Sequence, residues 1–155
     1  MRPLLFLALL SVGALGGGCS ASAPGGPPMC TGGCGTCSGS QCACNDSARC
    51  DAQCGDSCEL TCSGSGGCDA ECGAECEFTC SGTDECVARV GARSVIVCSG
   101  SRGCVVECVG GGCRATCSGT DGCELMCPDG GCAMDCRGDE ATQCPGGRIA
   151  CARSC

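Results

Sequence analysis

The chain has 155 residues with no histidine, tyrosine or tryptophan and only two phenylalanines, so it cannot build an ordinary aliphatic and aromatic core. Its 27 cysteines are about 17 % of the residues, above the roughly 8–10 % that is typical of a disulfide scaffold. The formal net charge of −8 opposes a nucleic-acid partner, which requires clustered basic residues.

The N-terminal segment carries the pattern of an export signal. Positive charge at Met1-Arg2 precedes an apolar run at 4–15, LLFLALLSVGAL, which is too short to span a bilayer comfortably. The run leads into GGGC, which ends at Cys19, and the segment resembles the signal of bacterial lipoproteins. The resemblance implies cleavage after 1–18, acylation of Cys19 and a lipid anchor in the bacterial cell envelope. Ser20 is compatible with sorting to the outer membrane, whereas Gly16 stands where that family most often has leucine.

An alternative is ordinary signal cleavage after Ala23, which would give a secreted protein; Pro24 directly afterwards disfavours it. Either route removes Cys19 from the thiol count and leaves 26 cysteines, an even number. Thirteen disulfides would then use every thiol, as expected in an oxidising compartment.

Two short segments follow the signal. Residues 19–29, which continue from the lipidated cysteine as SASAPGGPPM, have the composition of a flexible or extended tether. Residues 30–43 hold cysteines at irregular spacing, and we expect a Cys-rich cap that protects the first repeat from edge pairing.

Residues 44–135 contain five copies of one repeat. The cysteine spacing is 6, 4, 4 and 4 residues in the first two copies, and the last two copies add one residue, inside VGGG and PDGG. Small and sulfur-containing residues alternate with polar ones at period two, which indicates extended chain with one buried face. A short fixed period predicts a β-solenoid, in which each coil buries its inner face against its neighbours. A string of separate disulfide knots is the alternative.

The third copy has Val90 and Ser94 at two cysteine positions. If these positions pair within one coil, their joint loss leaves no orphan thiol, whereas pairing between coils would leave two. We therefore predict Cys62–Cys68 and Cys72–Cys76 type bridges in each coil, with Cys80–Cys86 alone in the third. The candidate disulfide cysteines are Cys44, Cys50, Cys54, Cys58, Cys62, Cys68, Cys72, Cys76, Cys80, Cys86, Cys98, Cys104, Cys108, Cys113, Cys117, Cys123, Cys127 and Cys132.

Residues 136–155 lose the rhythm and are predicted to form a Cys-rich C-terminal cap, with a loop closed between Cys136 and Cys144. This loop would contain Arg137-Gly138-Asp139, a tripeptide that binds integrins in animal ligands. In a chain rich in these three residues, we interpret it as coincidence.

Hydroxyl residues recur beside the cysteines in TCSGSGGC, TCSGTDEC and TCSGTDGC, and these strings resemble the repeat of beetle antifreeze proteins. That family is a disulfide-stapled β-solenoid with ice-binding threonine columns, and its cysteines six apart bridge within a coil. The resemblance implies a ligand face for ice, and ladders of this kind also suit a glycan. The candidate residues are Thr61, Ser63, Ser65, Thr79, Ser81, Thr83, Ser99, Ser101, Thr116, Ser118 and Thr120.

Other chemistry has less support. A thiol metal store is the remaining alternative, but the spacing and compartment are wrong for metallothionein-like cages and no histidine completes a mixed zinc site. A weak cation site along Glu59 and Glu77 is conceivable, although the acidic residues of the first two coils suit a solvated face. Without histidine there is no usual general base. We therefore expect no enzyme, cofactor or bound metal, and an all-β, disulfide-rich envelope protein with a structural or surface-interaction role.

Overall fold

The computed structural model describes residues 29–31, 36–38, 40–45, 49–64 and 66–155. Within this part, no helix is both long and apolar enough to cross a bilayer. The predicted signal at 1–18, the acylated Cys19, almost all of the tether and Ser65 lie outside the described residues. The elements are β1 Met29–Thr31, β2 Thr36–Ser38, β3 Gln41–Asn45, β4 Cys50–Cys54, β5 Glu59–Ser63, β6 Cys68–Cys72, β7 Glu77–Ser81, β8 Glu85–Val90, β9 Val95–Ser99, β10 Gly103–Cys108, β11 Arg114–Ser118, β12 Cys123–Met126, β13 Ala133–Arg137, β14 Ala141–Gln143, a 3₁₀ turn Pro145–Gly147 and β15 Arg148–Cys151.

The chain winds between two facing sheets, and the predicted β-solenoid of about five coils is confirmed. Sheet A contains β4, β6, β8, β10 and β12 in parallel, and sheet B contains β3, β5, β7, β9, β11 and β13 in parallel. Each coil thus adds one strand to each sheet, and each strand residue lies in register with its repeat equivalent. The extra residue of the last two copies lies in the turns after β10 and β12, so Cys117 still aligns with Cys98.

Antiparallel strands cover three of the four ends of the parallel stacks. In the N-terminal segment, β1 pairs with β4 and β2 pairs with β3. At the other end, β15 pairs with β12, and β14 adds to β15. Reversed strands of three or four residues limit further pairing at a sheet edge, because they leave only a short run of backbone groups available.

Two ladders of disulfides run along the rod, and each bridge joins the two sheets within one coil. Cysteines six apart close the turns after sheet B, and cysteines four or five apart close the turns after sheet A. The Cα–Cα distances lie between 6.0 and 6.5 Å, within the range that a disulfide requires. All 18 candidate cysteines are used, in the bridges 44–50, 62–68, 80–86, 98–104, 117–123 and 54–58, 72–76, 108–113, 127–132.

The predicted loop between Cys136 and Cys144 is wrong. Cys136 bonds to Cys151, and Cys144 bonds to Cys155. The reason is register: Cys136 aligns with Cys117 in sheet B and Cys151 aligns with Cys123 in sheet A, so the terminal pair extends the first ladder by one step. The C-terminal segment therefore closes the rod from its end. Arg137-Gly138-Asp139 is exposed and covers the last residue of β13 and the start of the turn that leads to β14.

An apolar column runs between the two ladders, which the composition alone did not predict. Inward positions at the strand centres of sheet B lie across the interior from those of sheet A, because each Cys72–Cys76 type turn folds one strand over the next. In four of the five pairs one member is alanine, whereas both members of the last pair are large. The opposed pairs are Leu60 with Ala52, Phe78 with Ala70, Ile96 with Ala88, Ala115 with Val106 and Met134 with Leu125.

The third coil replaces a disulfide with a hydrogen-bonded serine. Val90 and Ser94 align with cysteines of the neighbouring coils and are buried at 1 % and 0 % exposure. The Ser94 hydroxyl donates to the Gly91 carbonyl at 2.8 Å and accepts from the Cys76 backbone N–H at 3.1 Å. These bonds hold the same turn that a disulfide closes elsewhere.

The inward and outward alternation continues through the strands but not through the glycine turns, contrary to expectation. Strict alternation from Cys62 would place Gly64 and Gly66 inward and Gly67 outward, whereas Gly64 and Gly66 are exposed and Gly67 is buried. Gly64 has φ of +61°, as do its equivalents within a few degrees, and this left-handed residue rotates the chain so that the alternation shifts.

Restoring the missing bridge provides a test of the register. We expect the double variant Val90→Cys/Ser94→Cys to form a further within-coil disulfide, lowering the non-reduced mass by two hydrogens. Closing so short a loop contributes about 2 kcal/mol, offset by about 1 kcal/mol for the lost serine hydrogen bonds. The free energy of unfolding should therefore rise by about 1 kcal/mol in chemical denaturation.

The single variants Val90→Cys and Ser94→Cys serve as controls and should each carry one free thiol. Two free thiols in the double variant, or a bridge from residue 90 to another coil, would contradict the predicted register.

Candidate binding face

The outward side of sheet B carries two straight columns of mostly hydroxyl side chains. Through successive coils, the first column runs Thr61, Thr79, Val97, Thr116. The second column runs Ser63, Ser81, Ser99, Ser118. We call these eight residues the hydroxyl face. The register stacks them as the repeat alignment predicts.

The hydroxyl face is a regular two-dimensional array. Neighbouring coils are about 4.8 Å apart, and positions two apart on a strand are about 6.6 Å apart. Its members are half-buried, except Val97, which is more exposed. At the N-terminal end, the Ser63 hydroxyl donates to the Asn45 side-chain oxygen of the preceding strand. Small side chains at regular spacing on a parallel stack give a surface that suits a flat or repetitive partner.

The third predicted column does not belong to this face, which is a correction. Thr83 and Ser101 are buried at 3 % and 2 % exposure, and Thr120 is half-buried. The Thr83 hydroxyl oxygen lies 2.9 Å from Cys86 Sγ, 3.1 Å from Cys80 Sγ and 3.3 Å from the Ser101 hydroxyl. The left-handed glycine before each of these residues turns it inward against the disulfide. Ser65, the remaining member of that column, is outside the described residues.

A charged and apolar column borders the hydroxyl face, and of its members only Glu59 and Glu77 were considered from the sequence, as a weak cation site. It runs Glu59, Glu77, Val95, Arg114 through successive coils. Val95 and Val97 are 44 % and 36 % exposed. The amide of Gln41 donates to the Glu59 carboxylate at 2.7 Å. The signal was present in the sequence, because these residues stand two positions before each Thr or Val97 and must share its face.

The outward side of sheet A has a different character, with ion pairs between neighbouring coils. Arg89 binds Glu107 at 2.7 Å, and Arg49 lies 3.3 Å from both Asp51 and Asp69. At the C-terminal end, Glu124 contacts two arginines of the closing segment, Arg148 and Arg153. Exposed pairs of this kind each contribute less than about 1 kcal/mol. The arginines on this side of the rod therefore already have acidic partners within the same chain.

Sulfur atoms approach one another inside the rod in groups of three. Each group contains both ends of one disulfide and a sulfur of the neighbouring coil, as where Cys62 Sγ lies 3.7 Å from Cys50 Sγ. A bridged sulfur carries no thiolate charge, which metal ligation requires. These groups therefore reflect the stacking of bridges; they are Cys44, Cys50, Cys62; Cys98, Cys117, Cys123; and Cys108, Cys127, Cys132.

No protein-family model, curated protein or solved structure matches the chain.

The inward placement of Thr83 can be tested by measuring stability. We expect Thr83→Ala to lower the free energy of unfolding by about 1–2 kcal/mol, because it leaves a small cavity and removes the partner of a buried serine hydroxyl. Thr79→Ala, on the solvent side of the adjoining strand, should change it by less than about 0.5 kcal/mol. Equal costs in chemical denaturation would contradict the placement of the third column.

Proposed function

We propose that the protein is a non-catalytic, lipid-anchored component of a bacterial cell envelope, most consistent with the outer membrane, where it has a structural or surface-interaction role. The observation that carries the proposal is the set of eleven disulfides between described cysteines, which favours an oxidising, extracytoplasmic compartment. The anchor itself rests on the GGGC sequence at Cys19 and its resemblance to lipoprotein signals.

The geometry of the rod supports an interaction role. The interior is filled by disulfides and the apolar column, so the chemistry available to a partner lies on the outer faces of the sheets. The hydroxyl face offers neutral donors and acceptors at fixed spacing on a rigid backbone. A rigid site loses little conformational entropy on binding.

The absence of catalysis is part of the proposal and rests on the residue types that the chain contains. The chain has no histidine, and the serines and threonines of the hydroxyl face repeat evenly from coil to coil. A catalytic nucleophile needs one position with an activating base beside it. An even ladder favours repetitive contact.

The anchor is tested by detergent partitioning of the protein expressed in a bacterial host with its own signal. We expect the wild-type protein to enter the detergent phase and Cys19→Ser to remain in the aqueous phase, because two or more acyl chains give stable membrane attachment. Ser22→Ala, three residues later in the same segment, is the matched control and should partition as the wild type. Wild-type protein in the aqueous phase would contradict the anchor and favour secretion.

Ligand binding on the hydroxyl face is a second candidate function, with ice or a glycan as the ligand. It is favoured by the register that stacks Thr61 on Thr79 and Ser63 on Ser81. Both ligands are repetitive and bind through arrays of hydroxyl groups. The interruption at Val97 counts against a continuous ladder.

Thr79→Tyr is expected to abolish ice shaping or polysaccharide retention. Its bulky ring would project above the neighbouring side chains and keep a flat ligand away from the array. Val87→Tyr, at an exposed position on sheet A, is the matched control and should keep the activity. Crystal morphology in supercooled solution and retention on polysaccharide columns are the measurements. A wild-type protein that does neither rules out this second candidate.

A further inference from the structure

The centre of the outward face of sheet B is apolar and lies between two opposite charges that make no ion pair within the described residues. Val95 and Val97 lie side by side on β9, with Glu77 one coil before and Arg114 one coil after Val95. Among the arginines of the described residues, Arg114 is the one that makes no ion pair. Glu77 likewise makes no ion pair within the described part of the chain. Sheet A also exposes Val87 and Met126, but its arginines Arg89 and Arg148 form ion pairs. The unpaired arginine beside exposed valines therefore distinguishes the outward face of sheet B.

These features are self-complementary about one axis. Consider a two-fold axis that runs parallel to β9, midway between two copies of the face. It sets the coils of the two copies in opposite order, but each position along a strand faces the same position of the other copy. Val95 and Val97 would then meet their own equivalents, and Glu77 of each copy would lie opposite Arg114 of the other. A two-fold axis along the rod would instead place Glu77 opposite Ser81 and leave the charges unmatched.

The remaining columns agree with the first axis. Thr79 of one copy would lie opposite Thr116 of the other, and Ser81 opposite Ser118, so hydroxyls meet hydroxyls. Facing sheets pack about 10 Å apart. A glutamate and an arginine can span that gap from opposite sides, whereas the small side chains between them leave no steric obstacle.

We propose that the outward face of sheet B is a self-association surface, and that its partner is a second copy of this chain docked face to face about an axis along β9. The inference goes beyond the proposed function by naming the partner of the rod. It does not depend on the lipid anchor, since the surface belongs to the described part of the chain.

The expected dimer is weak. Five strands of five residues cover roughly 24 by 16 Å on each copy. The two copies together would bury about 800 Å², which is below the roughly 1,000 Å² of a stable interface and suits a transient one. A dissociation constant of micromolar or above is therefore expected for the protein in solution. Two copies on the same membrane would associate more readily, because attachment raises their effective concentration.

The test uses the oxidised full chain with Cys19→Ser, which prevents acylation, in sedimentation velocity runs from about 1 μM to 1 mM. We expect a concentration-dependent dimer. Arg114→Glu should raise the dissociation constant roughly tenfold or more, because two favourable contacts per dimer become two repulsions. The charge swap Glu77→Arg/Arg114→Glu should restore it to within about threefold.

Arg89→Glu on sheet A is the matched control and should leave the dissociation constant unchanged. A monomer at all concentrations, no effect of Arg114→Glu, an equal effect of Arg89→Glu, or no rescue by the charge swap would each overturn the proposal. A free-thiol count that matches the parent protein shows that each variant is oxidised.

Val97→Thr separates self-association from binding of a ladder ligand. The substitution completes the threonine column and removes an apolar side chain from the centre of the face. We expect it to weaken the dimer, whereas a ladder ligand would bind it at least as well as the wild type. Unchanged or stronger dimerisation of Val97→Thr would overturn the assignment of the valines to the contact.

Discussion

The structure depends on a covalent constraint that repeats with each coil: a disulfide closes the turn between facing strands. A chain with two phenylalanines and a few aliphatic residues cannot offset the conformational entropy of 155 residues by apolar burial alone. Short-loop disulfides restrict the unfolded chain before folding begins, each by about 2 kcal/mol. They also hold the bridged turns at similar widths, with Cα–Cα distances of 6.0 to 6.5 Å, which helps to keep the strands of successive coils in register.

Register in turn determines where every other side chain lies. Equivalent residues stack from coil to coil, so side chains of one kind collect in columns. The two disulfide ladders and the apolar column between them point inward, whereas the outward columns carry hydroxyls or charges. The third coil shows that the disulfide itself can be replaced, since Val90 fills the volume and the Ser94 hydroxyl holds the turn by hydrogen bonds. What the fold requires at that point is a fixed turn, and a disulfide is one means of fixing it.

Much of this architecture could be predicted from the sequence, because cysteine spacing is periodic and period two indicates a strand. The within-coil pairs followed from the joint absence of cysteine at residues 90 and 94. The turns could not be predicted from alternation, since a single left-handed glycine such as Gly82 directs Thr83 inward. The terminal bridges escaped prediction as well. Cys151 reaches Cys136 only because β15 runs antiparallel to β12, which a broken repeat does not reveal.

The two faces of the rod differ in a way that bears on function. Arginines on sheet A and in the turns pair with acids of neighbouring coils, whereas Arg114 and Glu77 on sheet B do not pair. The outward face of sheet B is thus the side with an unpaired arginine, and it also carries the exposed Val95 and Val97. A partner for the rod is therefore expected there, whether a second copy or a repetitive ligand.

The central claim is that sulfur atoms point inward and bridge within single coils. Disulfide mapping of the exported protein, by proteolysis without reduction followed by mass spectrometry, tests it most directly. The account predicts links between cysteines four, five or six residues apart throughout 44–132, the two terminal links Cys136–Cys151 and Cys144–Cys155, and no free thiol among the 26 cysteines after Cys19. Links between different coils within 44–132, or several reduced cysteines in the native protein, would contradict it.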